Sequence, residues 1–429
     1  MISFEIPESI VKTVTMIEAV ATEMMRPQSR YYDDHEHEVP WDYINFMQAA
    51  DSAAGGGVSM VPNEAKGDGE PMVAEATIDE ATSDEATIDK PRIGYQSMAH
   101  YIEMLSWGDA GLYLCTPRAG LGAAAVAAAG TPDQKAKFLA RFSGEKAVFS
   151  SMAITESHAG SDTAAIKTTA VRDGDEWVLN GEKIFVTGGH KSLIDTPGFV
   201  IVWATIDPEA GRKGIRSFVV EADTPGCTVT KLEKKLGIRS SDTVSIVMQD
   251  CRVPFENMLG TIEQKKKTTE GYKGVLRTFE VTRPLVGASA LGVARAALEF
   301  LKEKLAENGV EIRYGLPRNR MTNLEAEVID LEAMLRSAWL LTLRAVWMVD
   351  NKVPINAESS MSKIKAGDAV VKITQKAVEL LGPMGYSREH LLEKWFRDAK
   401  INDIFEGTGQ INRLIVARRI LGYGRNELS

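Results

Sequence analysis

The stretch FRDAKINDIFEGTGQI (residues 396–411) sets one carboxylate, Glu406, between Phe405 and two glycines, Gly407 and Gly409. Apolar neighbours disfavour the charged form of a carboxylate and raise its pKa, which makes the ionised group a stronger proton acceptor. The glycines let the backbone turn sharply and approach another group closely. This pattern suits a positioned general base; the plain alternative is a helix end. Three other stretches carry groups that could bind. SMAITESHAGSD (151–162) passes from an apolar run into a Ser/Gly loop that would expose amides and hydroxyls to a polar ligand, or simply turn. GEKIFVTGG (181–189) spaces Phe185 and Thr187 two apart, on one face of a strand, as an aromatic wall beside a hydroxyl. FEVTRP (279–284) opens a long helical pattern with Arg283, a candidate for a phosphate, although a surface ion pair is the commoner use of such an arginine.

These residues need elements to hold them. Apolar positions at helical spacing predict a helix over 5–27, a second from Trp41, and more over 92–146, where Gly130 ends one helix and Thr131-Pro132 starts the next. The period then changes to two. Strands are expected at 147–155, 168–187, 199–206, 217–223, 227–232 and 244–254, with turns at Gly174-Asp175 and Asn180-Gly181. Helical spacing returns over 271–308, 320–351 and 355–381, then through Arg397 and over 410–421. The expected class is α+β: an N-terminal helical domain (1–147), a middle antiparallel β domain (148–262) and a C-terminal domain resembling a four-helix bundle (263–429). No βαβ alternation and no Gly-rich phosphate loop after a strand appear, which excludes a doubly wound nucleotide fold. Residues 51–90 stand apart, with ten acidic residues against two lysines and a tandem EATID/EATSD/EATID repeat. Such composition cannot bury enough apolar surface to offset ordering, so a mobile acidic insert is expected, solvated or serving to dock a partner.

The composition, 44% hydrophobic and 25% charged over 429 residues, is that of a globular chain, and a net charge of −9 argues against nucleic acid as the main partner. Cys115, Cys227 and Cys251 lie far apart without CxxC spacing, so neither a disulfide framework nor a zinc site is indicated, as suits a cytoplasmic protein. DDHEHE (33–38) packs four carboxylates and two histidines into consecutive positions that do not converge on one point, so no metal is expected there. No secretory leader or membrane span is expected; the longest apolar run, LGAAAVAAAG (121–130), is too short.

In this order and at these distances, the four stretches resemble the acyl-CoA dehydrogenase family. FRDAKINDIFEGTGQINRLIVAR (396–418) is similar to its C-terminal signature, AITESHAGSD to its flavin-side loop, and KKLGIRSSDTVSIVMQDCRVPFENMLG (234–260) to its exit from the β domain. The resemblance implies the family's α/β/α fold and an FAD-dependent α,β-dehydrogenation of an acyl-CoA thioester to the trans-2-enoyl-CoA. It makes Glu406 the base for the Cα proton and FAD the acceptor of the Cβ hydride. It assigns Met152, Ile154, Thr155, Phe185, Thr187, Thr408 and Gln410 to the flavin, and Ser161, Arg283 and Gly407 to the substrate. The Glu406 amide would polarise the thioester oxygen. Thr282 occupies the place where some branches carry the base, and Glu280 would be a polar wall of the CoA channel. His158 would be a turn residue or a phosphate contact. An electron-transferring flavoprotein is the implied electron acceptor.

Several positions depart from the family pattern. Glu311 stands where an arginine would reach a neighbouring subunit's FAD pyrophosphate, leaving Arg313 as a substitute two residues on. Glu379 replaces a glutamine on the adenine side, and Met321-Thr322 replaces a polar pair. Two assemblies follow: a homotetramer using Arg313, or an α2β2 heterotetramer whose related chain supplies the arginine. A flavin-poor subunit and an oxygen-using acyl-CoA oxidase are the alternative functions. The small-residue run LCTPRAGLGAAAVAAAG (114–130) suggests a roomy acyl pocket.

Overall fold

The computed structural model describes residues 5–53, 93–117, 120–260, 270–355, 357–423 and 427, except for the side chains of 270–277. Nearly all of the expected acidic insert lies outside the described residues.

The first helical pattern forms α1 (Glu8–Val20), a π-helical turn (Ala21–Met25) and α2 (Arg26–Asp34). The widened turn lies against Gly108, where a Cβ would sit 2.9 Å from the Ala21 side chain. After α3 (Trp41–Ala53) come α4 (Gly94–Gly108) and the short α5 (Ala110–Tyr113), capped by Asp109. Then follow α6 (Leu121–Ala129) and α7 (Pro132–Leu139). Thr131 and Gln134 form the reciprocal capping box that opens α7. The Gln134 amide also donates to the carbonyls of Glu256 and Met258, both at 2.8 Å, tying this helix to the end of the β region. The small residues of α6 serve close packing, because a Cβ on Gly122 would lie 2.7 Å from Ser150 Cβ.

Seven strands form one sheet: β1 (Ser150–Ala153), β2 (Thr169–Asp173), β3 (Glu176–Thr187), β4 (Phe199–Thr205), β5 (Ile215–Glu221), β6 (Cys227–Leu232) and β7 (Thr243–Pro254). Their order is β1-β4-β2-β3-β7-β6, with β5 also on β4. Most pairs are antiparallel as expected, but β4 pairs in parallel with both β1 and β2. Side-chain alternation reports faces, not neighbours, so this mixed character was not visible in the residues. Strand β4 is buried throughout: Phe199, Ile201 and Trp203 face one apolar cluster with Phe138 and Val126, while Val200, Val202 and Ala204 face another. The expectation of a turn at Asn180-Gly181 is corrected, because both residues lie inside β3. Gly181 (φ 149°) sits at a register shift, where a Cβ would meet Thr168 Oγ1 at 2.5 Å.

The C-terminal region packs α8 (Glu270–Glu307), α9 (Asn323–Asp350) and α10 (Glu358–Leu381) around a shared apolar core with α12 (Leu392–Ala399). The short α11 (Pro383–Tyr386) precedes α12, and α13 (Gly409–Leu421) closes the described fold. The apolar stretch Thr278–Glu307 of α8 is long enough to cross a membrane, yet 78% of an apolar 18-residue segment within it is buried. The helical and β regions meet at a buried ion cluster. Lys394 Nζ on α12 lies 2.7 Å from Asp109 Oδ2 and 2.6 Å from Asp398 Oδ2. Asp398 also accepts the Ile238 amide from the loop between β6 and β7, and Asp109 accepts Ser29 Oγ from α2. Three of the four carboxylates of 33–38 join this junction: Asp33 pairs with Arg397, Asp34 with Arg388, and Glu36 accepts the Lys235 amide.

Candidate active site

The chain leaves α12 through a 3-10 turn (Lys400–Asp403) and reaches Glu406 and Gly407, both in the left-handed region at φ 55° and 91°. A glycine tolerates that geometry; for a glutamate it costs about 1–2 kcal/mol. The surroundings hold the turn through its carbonyls. Arg283 Nε on α8 donates to Glu406 O at 3.2 Å. Gly407 O accepts both Lys363 Nζ from α10 (2.6 Å) and Asn412 Nδ2 from α13 (2.8 Å). Thr408 then caps α13, its hydroxyl accepting the Ile411 amide. Three donors on three helices therefore fix the backbone that carries the carboxylate.

The Glu406 side chain is half-buried in a mixed field. Burial is the largest influence and raises its pKa, while the Thr282 hydroxyl, Arg283 and Lys363 pull the other way. Thr282 Oγ1 lies 2.5 Å from Glu406 Oε2. Burial, then the nearby Glu406 charge, push the Tyr113 phenol upward. Burial also lowers Lys363 to about 8, against the raising charges of Asp403 and Glu406. The product is a carboxyl group that holds a proton more readily than a solvated one, on a backbone that cannot drift.

Lys363 is 1% exposed, and its ammonium serves Gly407 O directly. Substituting Lys363→Met is expected to destabilise the chain by about 1.5–3 kcal/mol, the worth of a hydrogen bond from a charged donor, and to slow turnover by loosening the turn. Melting and turnover measured on one preparation check this; wild-type values for both would show that Asn412 suffices.

On the β side, Met152 and Ile154 are buried and Thr155 half-buried where β1 ends. Lys183 Nζ pins this segment through Ile154 O (3.0 Å) and Glu156 Oε1 (2.7 Å), and Glu156 accepts the Lys167 and Thr168 amides. Strand β3 bulges between Lys183 and Val186, with Phe185 at φ 58°. Phe185 is 61% exposed and half-buried Thr187 follows on the far side of buried Val186. Ser151 Oγ donates to Thr187 O at 2.8 Å and joins the two segments. An aromatic ring held outward by a strained bulge, beside a hydroxyl and a pinned strand end, fits the flat face of an isoalloxazine.

The structure thus brings Glu406, Gly407 and Arg283 into contact and links the segments of Met152–Thr155 and Phe185–Thr187. Thr408 is half-buried beside them in the chain, Gln410 exposed on the first turn of α13, and Ser161 exposed on its loop. Arg313 stands differently. Its guanidinium pairs with Glu325 at 2.6 and 2.8 Å, and Glu325 also accepts the Thr322 amide that opens α9. Glu311 is exposed, and Glu379, also exposed, pairs with Lys376. Sequence reasoning missed Lys363, Ser151 and Lys183, whose partners lie far along the chain, and Asn412, whose bond to the Gly407 carbonyl is local but needs the turn to close.

A glycine-bounded carboxylate on a helical bundle, set with a β domain that presents an outward aromatic, defines the class. The chain belongs to the acyl-CoA dehydrogenase family: the family's C-terminal domain matches residues 269–421 and its middle domain residues 151–251. The mitochondrial short-chain specific acyl-CoA dehydrogenase of Rattus norvegicus is 38% identical over 293 residues, 68% of this chain and 67% of that protein. Among solved structures, butyryl-CoA dehydrogenase of Megasphaera elsdenii is similar with a TM-score of 0.79 and 26% identity, covering 98% of this chain and all of that one (100%). A chain described with the electron transferring flavoprotein of Acidaminococcus fermentans has a TM-score of 0.80 and 28% identity over 98% of this chain and 100% of its own. The chain is accordingly an oxidoreductase of a flavoprotein family that works in fatty acid β-oxidation.

Proposed function

We propose that the chain converts an acyl-CoA thioester to its trans-2-enoyl-CoA, with Glu406 taking the Cα proton. The observation that carries this reading is the half-buried Glu406 carboxyl on a turn fixed by Arg283, Lys363 and Asn412. Bound FAD supplies the acceptor for the Cβ hydride. Phe185, Thr187, Met152, Ile154, Thr155, Thr408 and Gln410 would hold it. Arg283, Ser161 and Gly407 would hold the thioester and its CoA arm, and the Glu406 amide would polarise the carbonyl as developing negative charge gathers there. The base must be ionised to act, so activity falls as pH drops through the raised Glu406 pKa, above the ordinary carboxylate range. An electron-transferring flavoprotein is the electron acceptor in this reading, and the cytoplasm its setting, where Cys115, Cys227 and Cys251 stay free thiols.

The test uses purified chain, an artificial electron acceptor and a panel of acyl-CoAs from short to long and branched. The expected result is a yellow protein and a product two hydrogens lighter than its substrate. Bound flavin with no such product from any thioester would overturn the reading.

One observation favours the heteromeric assembly over the homotetramer. Arg313 is engaged by Glu325 within its own chain, so it is a poor substitute for the arginine that Glu311 displaces. Flavin stoichiometry of the chain alone and with a related partner chain separates the two assemblies.

A further inference from the structure

Thr282 stands one helical step before Arg283 and is 5% exposed. Its hydroxyl lies 2.5 Å from Glu406 Oε2 and 3.1 Å from the carbonyl of Thr278. A threonine hydroxyl has one hydrogen to give, and here two acceptors compete for it. When Glu406 is ionised the hydrogen belongs on Oε2. When Glu406 is protonated, a hydrogen on Oε2 can be given to Thr282, which then turns its own hydrogen to the Thr278 carbonyl. Among the described residues nothing donates to the other oxygen, Oε1.

We propose that Thr282 is a positioning residue that holds Oε2 of Glu406 and leaves Oε1 as the oxygen that receives the Cα proton. This inference rests on Glu406 being the base. The two oxygens of the carboxylate are then inequivalent before substrate arrives, so the attacking lone pair is oriented at no further entropic cost. The charged and titratable groups facing Glu406 are Arg283 from α8, Lys363 from α10 and Tyr113 from α5. Thr282 adds a neutral donor to this set, and a donor to the ionised form favours that form. Removing it must therefore raise the proton affinity of the base.

The experiment follows α-proton exchange in D2O by NMR, using the holoenzyme and a 3-thia-acyl-CoA of the best-used chain length. Its β sulfur has no hydride to give, so the readout is proton abstraction alone. Wild type, Glu406→Gln, Thr282→Val and Thr282→Ser are compared across pH. Thr282→Val is expected to shift the acid limb upward by about one pH unit, a roughly tenfold loss on that limb, and Thr282→Ser to restore it. A role in packing alone would lower the rate equally at every pH or lower only the melting temperature. If the valine variant does not fold, Thr282→Ala is read in the same way. Superimposable profiles for wild type and the variant lacking the hydroxyl would overturn the proposal while leaving Glu406 as base. Absence of exchange in wild type would instead remove the base assignment itself.

Discussion

Glu406→Gln is expected to lower acyl-CoA dehydrogenation by about 10³-fold, the scale at which a positioned general base acts, while the protein stays folded. Glutamine keeps the shape, and its amide oxygen can still accept from Thr282, but it cannot take a proton from carbon. The stability side has a definite sign. Burial raises the folded-state pKa of Glu406 above its unfolded value. The fold therefore disfavours the ionised form. That cost sets in as pH rises through the ordinary carboxylate range and is complete above the raised pKa. The variant escapes it, so its melting temperature should match or exceed wild type at neutral pH, and the difference should shrink in acid. Turnover within tenfold of wild type would move the base elsewhere in the chain.

The largest loss of stability is expected from Lys394→Met. Lys394, Asp109 and Asp398 are each no more than 1% exposed at the side chain. Burial alone would strip the lysine of its charge, but the two carboxylates hold its pKa above the usual value. Asp398 is itself pushed up, by burial first, with Lys394 pulling it back. Removing the ammonium leaves two carboxylates facing each other without water, and breaking such a buried pair costs about 3–5 kcal/mol. The triple variant Lys394→Met/Asp109→Asn/Asp398→Asn should recover part of the loss, since it removes the charges together. Denaturant unfolding measures both. A single variant within about 1 kcal/mol of wild type, well below that range, would show that water reaches the cluster.

Much of this was legible in the sequence where the signal is local. Phe405-Glu406-Gly407 singles out the candidate base because a carboxylate beside an aromatic and a glycine is unusual within three residues. The α/β/α succession followed from a change in apolar period, and Thr131-Pro132 marked the start of α7. Pairings were not legible. The parallel β1–β4 contact and the bulge at Phe185 depend on which strands meet, and alternation carries no information about that. Lys363 sits in an ordinary helical pattern, and its partner Gly407 is 44 residues away. Asp33, within a run that invites a metal reading, is spoken for by Arg397, 364 residues on. In the sequence Thr282 stands out only for lacking a carboxylate; its position against Oε2 emerges once two distant segments meet.

The left-handed backbone at Glu406 has an implication for how this site persists over generations. Strain and desolvation both fall on the residue proposed as the base, and a glycine or asparagine at the same place would relieve them. Thermodynamics alone would let the position decay. In any descendant freed from turnover, position 406 is where drift runs downhill, and only selection for the reaction keeps a glutamate on that slope.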